Sequence, residues 1–137
     1  SLPHNFRKLA QLLSSSEFRE IMQSISGNQL LEIPTLFLNR LGSNDQIGLH
    51  NDYHPQKETL RCVLYLGSTV ESTVFGSFVA LAFNSSPSVL DFYPPIHNSM
   101  VIFEISPFSY HLVTPNDGSV RYSIVLSYFE KRIKTTG

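Results

Sequence analysis

Apolar residues change their spacing once along this chain. Up to residue 27 they recur every three or four positions: Phe6, Leu9, Leu12 and Leu13, then Phe18, Ile21, Met22 and Ile25. That spacing gathers them on one face of a helix, so two short amphipathic helices are predicted. Ser14, Ser15 and Ser16 separate them and offer an N-cap, and Gly27 stands where a C-terminal cap belongs. From Leu30 onward the apolar residues fall into short β-type runs. These are Leu30 to Arg40, Gln46 to Asn51, Thr59 to Leu66, Ser77 to Phe83, Ser88 to Tyr93, Met100 to Glu104, Ser109 to Val113 and Arg121 to Phe129. Turn-rich clusters divide them: Gly42-Ser43-Asn44-Asp45, Asn84-Ser85-Ser86-Pro87, Pro94-Pro95 and Pro115-Asn116-Asp117-Gly118. Short strands at this spacing predict a mainly β sandwich or barrel of the jelly-roll, cupin-like kind, with N-terminal helices. No internal repeat or linker interrupts it. The expected organisation is one domain over 1–137, with residues 1–29 as helical support and 30–129 as the barrel core.

Composition sharpens this picture in three ways. Hydrophobic residues make up 42% of the 137, and ten Phe and six Tyr are among them, so the chain can build a packed core. Charged residues reach only 15%, and the formal net charge is -1. No global field draws in nucleic acid or an anionic membrane, and neither is expected as a partner. The basic Lys131-Arg132-Ile133-Lys134 tail reads as a solvated end. Cys62 is the single cysteine, which excludes an intrachain disulfide and a thiolate zinc cluster. With no membrane-length apolar run and no signal-type leader, a reducing, cytoplasmic setting is expected. The chain starts at Ser1 rather than Met, so sequence upstream is expected.

The candidate chemistry starts at His50-Asn51-Asp52. Residues two apart on a strand share a face, so an imidazole and a carboxylate can converge there. A third ligand can come from His97 or His111. His97 follows two prolines and reads as a turn residue, whereas His111 lies in a β-type run, and a ligand on a strand is held more firmly. Two histidines and one carboxylate form the facial triad of non-haem Fe(II). Hydrolytic zinc sites more often pair ligands on a helix, and no H-E-x-x-H is present. Ten residues beyond His111, Arg121 and Ser123 share a strand face with Val125 and Ser127. A guanidinium beside hydroxyls on an inward face suits a bound carboxylate.

Taken in order, these residues resemble the Fe(II)/2-oxoglutarate-dependent dioxygenases. That family's signature is H-x-D, a distal His, and then a basic residue in an R-x-S setting. His50 and Asp52, His111, and Arg121 with Ser123 match it. Arg61-Cys62-Val63-Leu64-Tyr65-Leu66-Gly67 is similar to the strand that carries a co-substrate Tyr in the prolyl-hydroxylase-like branch, with Tyr65 as the matching residue. Asn98-Ser99-Met100-Val101-Ile102-Phe103 is similar to the turn and strand before the distal His. The chain departs from the branch at Gly76-Ser77, where paired glycines are usual, at Asn98, where Gly is usual, and at Arg40, where another Tyr is common. Asn98 tolerates a left-handed turn better than most residues.

The resemblance implies a double-stranded β-helix. It implies Fe(II) held by His50, Asp52 and His111, with 2-oxoglutarate chelating the metal and its far carboxylate on Arg121, helped by Tyr65 and Ser123. Dioxygen is the oxidant, with ascorbate as auxiliary reductant. Succinate and CO2 are the implied co-products of C–H hydroxylation. Tyr53, His54 and Phe108 are expected at the mouth, and His54 is a secondary candidate for metal or substrate contact. The loop from Gly67 to Phe75 carries one charge, Glu71, and suggests no strongly charged partner. A prolyl or other peptidyl substrate is slightly favoured. The alternatives are a small-molecule, natural-product oxidase on the same scaffold and a non-catalytic jelly-roll binding module.

Overall fold

The structure is a computed structural model that describes residues 3–54, 58–66, 79–116 and 120–131. Both helices form: α1 is His4–Leu13 and α2 is Ser16–Ser26. Ser15 lies in extended conformation and its hydroxyl accepts the Phe18 N–H at 3.2 Å. That bond satisfies one of the donors left open at a helix start. Gly27 ends α2 at φ 73° and donates its own N–H to the Gln23 carbonyl at 2.9 Å.

Eight strands follow: β1 (Thr35–Leu41), β2 (Ile47–His50), β3 (Glu58–Leu66), β4 (Val79–Ala82), β5 (Asp91–Tyr93), β6 (Met100–Glu104), β7 (Tyr110–Val113) and β8 (Arg121–Phe129). They pair antiparallel in two four-stranded sheets, ordered β1-β8-β3-β6 and β2-β7-β4-β5. Consecutive strands alternate between sheets over much of the chain, a jelly-roll-like arrangement. The run predicted from Leu30 divides. Leu30 makes an isolated bridge to Glu130, and regular pairing begins at Thr35, just after Pro34, which has no N–H to give a ladder. The run from Ser88 narrows to Asp91–Tyr93. Pro55, the loop from Gly67 to Phe75, Gly76-Ser77, Asp117-Gly118 and the tail from Arg132 lie outside the described residues.

Strand alternation sorts β3 and β8 between two cores. Leu60, Cys62, Ile124, Leu126 and Tyr128 pack outward against Leu13, Met22 and Leu30, so the helices seal the back of the first sheet. The Tyr128 hydroxyl donates to the Leu13 carbonyl at 3.3 Å and ties that seal to the end of α1. Burial pushes the Cys62 thiol up to about 12, so it packs as an inert apolar side chain beside Met22. The alternate residues Val63, Tyr65 and Val125 face the second sheet, with Val79, Val101 and Phe103.

Leu126 is fully buried in the outward core, whereas Leu12 on α1 is 61% exposed. Leu126→Ala is expected to cost about 2–5 kcal/mol, since it leaves a cavity. Leu12→Ala is expected to stay within about 0.5 kcal/mol. Urea unfolding of both variants checks the assignment of the core, and equal losses would contradict it.

Candidate metal centre

The inward faces of the two sheets enclose a cavity of about 490 Å³. Phe37, Val63, Val79, Phe103, Val113 and Val125 give it apolar walls, and polar groups gather at its two ends.

At one end, β2 and β7 bring His50 opposite His111. Strict alternation from Ile47 would point Leu49 inward, not His50. The register shifts by one residue between Ile47 and His50, a β-bulge, and the shift turns His50 toward the cavity. Gly48 lies in this irregular stretch, and its carbonyl accepts the His50 Nδ1–H at 2.7 Å. That bond leaves Nε2 as the basic nitrogen, the usual arrangement behind a ligating imidazole. The two imidazole rings lie 4.1 Å apart between centroids.

Asp52 does not sit on the strand. β2 ends at His50, so shared strand parity is not what joins Asp52 to it. Asn51 does that work from the side. Its amide donates to the Ser106 and Pro107 carbonyls at 3.4 and 3.2 Å, and its Oδ1 accepts the Tyr53 N–H at 3.1 Å. The segment is thereby fastened to the turn between β6 and β7, and the Asp52 carboxylate folds back over the histidines. Asp52 Oδ2 lies 3.4 Å from Nε2 of both His50 and His111. Donors sharing one ion with bonds of about 2.1 Å stand roughly 3 Å apart when cis. One donor atom from each of the three residues lies within 4.8 Å of the others. The donor chemistry and the convergence both fit a divalent transition metal.

His97 occupies the turn before β6, outside this group. Asn98 beside it adopts φ 61°, the left-handed conformation expected there, and its N–H is on the Tyr65 carbonyl at 3.0 Å. Tyr53 and Phe108 are exposed, and neither is among the residues that line the cavity.

Charge around the triad is arranged asymmetrically. Partial burial would raise the Asp52 carboxyl, but the hydrogen bond and charge of Arg61, with lesser help from His50 and His111, hold it below the usual carboxylate range. His111 is pushed down to about 4, first by burial and then by its neighbours His50 and Arg61. Its imidazole is therefore neutral near pH 7, the form that binds a metal. Arg61 and its partner Glu58 were not legible as part of this site from sequence. The available signal was a charged residue at position 61, in parity with the inward Val63 and Tyr65.

At the other end, Tyr65 faces Ser123 across the β3–β8 ladder, and Arg121 follows two residues along β8. All three line the cavity. The Tyr65 hydroxyl is buried without a hydrogen-bond partner among the described residues, and burial raises its pKa. A buried hydroxyl of this kind calls for an acceptor. Arg40 is exposed on β1 opposite Tyr122, and Asn39 beside it lines the cavity instead.

Compared by sequence, the chain matches no family profile and no curated protein. Compared by structure, it is similar to a Pseudomonas putida prolyl-4-hydroxylase, at TM-score 0.74 and 15% identity, over 96% of this chain and 68% of that one. It is similar to a Burkholderia pseudomallei oxidoreductase of the 2OG-Fe(II) oxygenase family, at TM-score 0.69 and 20% identity, over 96% and 58%. A Trichoplax adhaerens prolyl hydroxylase, solved with a hypoxia inducible factor peptide fragment, matches at TM-score 0.69 and 21% identity, over 86% and 55%. The likeness establishes the fold, and the chain spans between 55% and 68% of the length of these three structures.

His111 gives a pH prediction for the chelator-treated protein. The unfolded chain takes up its proton near pH 6.5, while the folded chain resists until about pH 4. Between those values the unfolded state binds more protons, so stability falls as pH falls, by about 3 kcal/mol in total. In His111→Asn this component of the loss should vanish from urea midpoints taken between pH 7 and pH 4.5. Identical pH slopes for the two proteins would contradict it.

Proposed function

We propose that this protein is an Fe(II)- and 2-oxoglutarate-dependent oxygenase built on a double-stranded β-helix, and that it hydroxylates a C–H bond. One observation carries the reading. His50 and His111, the two histidines of a His-Asp-His group, line one cavity with Arg121, Ser123 and Tyr65, in a fold similar to those of prolyl hydroxylases and 2OG-Fe(II) oxygenases.

In this reading His50, Asp52 and His111 hold the metal through two neutral imidazoles and one carboxylate. Iron supplies oxygen activation and oxidative decarboxylation of the keto acid to succinate and CO2. The chain's own residues do the positioning. Arg121 takes the far carboxylate of 2-oxoglutarate, Ser123 adds a hydroxyl, and the Tyr65 hydroxyl gains the acceptor it needs. Charge-assisted contacts of this type fix both the direction and the depth of a dicarboxylate. The apolar walls from Val63, Val125 and Phe103 keep water from the reacting atoms. Dioxygen is the oxidant, and ascorbate serves as reductant.

A prolyl or other peptidyl substrate is favoured. Tyr53 beside Asp52, and Phe108 after the turn that Asn51 bonds, are exposed outside the cavity lining, and an extended chain lying over them can gain affinity outside the reactive pocket. The peptide seen with the Trichoplax adhaerens enzyme supports the same choice. A small-molecule oxidase is the second reading, because about 490 Å³ falls in the range that encloses small ligands. No helix among the described residues is long and apolar enough to cross a membrane. We place the protein in a reducing compartment such as the cytoplasm, with residues 1–137 as one catalytic domain.

Succinate release from 2-oxoglutarate, with Fe(II) and ascorbate, tests the reaction. His111→Ala is expected to abolish it, and His97→Ala to leave it intact. Equal losses would show that the third ligand is misassigned.

Arg121→Ala is expected to weaken 2-oxoglutarate binding about ten- to a hundred-fold by calorimetry while metal stays bound. Unchanged affinity would overturn the co-substrate assignment. A mass-gain screen of prolyl peptides against small metabolites decides the substrate class. Turnover of a free metabolite with no peptide hit would favour the second reading.

A further inference from the structure

Arg61 spends its N–H groups in an unusual way. It occupies an inward position on β3, opposite Ser127 on β8 and Phe103 on β6. Its Nε donates to Glu58 Oε1 at 2.9 Å and its Nη2 to Glu58 Oε2 at 2.5 Å. This two-point fork anchors the guanidinium from one side, and both side chains are largely buried. The remaining nitrogen, Nη1, reaches into the triad. It donates to Asp52 Oδ2 at 2.5 Å and lies 3.2 Å from His111 Nε2. A guanidinium only donates, so the second contact requires a lone pair on Nε2 and the proton on Nδ1.

The two acceptors differ in capacity. A carboxylate oxygen has two lone pairs and can hold a metal and an N–H together. The imidazole Nε2 has one. A hydrogen bond from Arg61 and a bond to a metal therefore exclude each other at His111, but not at Asp52. The guanidinium is also a cation, which opposes a second cation close by. Glu58 offsets that charge, so the repulsion is reduced without being removed.

We infer that Arg61 is a built-in competitor for the metal: it holds Asp52 and His111 together, and a divalent ion must take the His111 lone pair from it. The inference rests on the reading of His50, Asp52 and His111 as a metal site. Arg61 is a positioning residue in this account, with Glu58 as its anchor. The triad is assembled in advance at the cost of metal affinity, and any change that draws the guanidinium back toward Glu58 favours loading.

Manganese titration of the chelator-stripped protein, read from the electron paramagnetic resonance of free Mn(II), tests this without any turnover. The key variant combines Arg61→Met with Glu58→Gln, so that no charge is left buried alone. It should bind Mn(II) about tenfold tighter than wild type or better, the effect of removing one hydrogen bond from a charged donor. Glu58→Gln alone should bind more weakly than wild type, because the guanidinium remains and its compensating charge is gone. General damage lowers affinity in both variants and cannot produce opposite signs.

Circular dichroism checks that each variant is folded. If the folded double variant binds Mn(II) no more tightly than wild type, the inference is wrong, and the metal site stands provided His111→Ala still abolishes binding. If neither wild type nor the double variant binds Mn(II), or if His111→Ala binds as well as wild type, the metal reading fails and the inference fails with it. Binding that emerges only in the double variant supports it.

Discussion

The pairing of β3 with β8 is the constraint on which the rest of this molecule depends. The two longest strands run antiparallel in register from Leu60 to Leu66 against Tyr122 to Tyr128. Side chains alternate across that ladder, so one pairing decides two things. It sends Leu60, Cys62, Ile124, Leu126 and Tyr128 to the helices, and it sends Arg61, Tyr65, Arg121, Ser123 and Ser127 to the cavity. A slip of one residue would exchange the sets, burying Arg and Ser against the helices and facing the cavity with Leu and Ile. The cost of such a slip is what makes the register secure. Stability and site geometry are thus two faces of the same ladder.

The second sheet is built of shorter strands but carries two of the candidate ligands. β2 and β7 are four residues each, too short to hold side chains firmly by pairing alone. Local devices compensate. The bulge before His50, the Gly48 carbonyl behind its ring and the Asn51 amide on the Ser106 and Pro107 carbonyls each remove one freedom from the candidate ligands. Phe103, reaching from β6, places its ring 5.0 Å from that of His111 and presses it from the first sheet. The site therefore sits where both sheets touch it.

Much of this was legible in the sequence, for a physical reason. Short β-type runs at 59–66 and 121–129, helical spacing in 6–25, and a Ser and a Gly at the ends of the second helix are local signals, and each produced the expected element. Placing His111 with His50 relied on strand position against turn position, which the geometry supports. Asp52 does lie beside the two histidines, but not through the strand parity that first joined it to His50. Sequence parity placed it on the strand, whereas Asn51 contacts 55 residues away fold it back. The bulge before His50 was invisible because it depends on which strand lies opposite. Arg61 and Glu58 were missed because their meaning is tertiary: a fork three residues apart becomes informative only when Asp52 and His111 are seen at its tip.

In the proposed function His50, Asp52 and His111 hold one metal ion beside a carboxylate bound at Arg121. A crystal structure of the protein grown anaerobically with Mn(II) and 2-oxoglutarate tests it directly. The expected result is one anomalous peak bonded to all three side chains, the Arg61 guanidinium released from His111, and the keto acid reaching from the metal to Arg121. Manganese bound elsewhere, or a triad still bridged by Arg61 with no ion among its members, would contradict it.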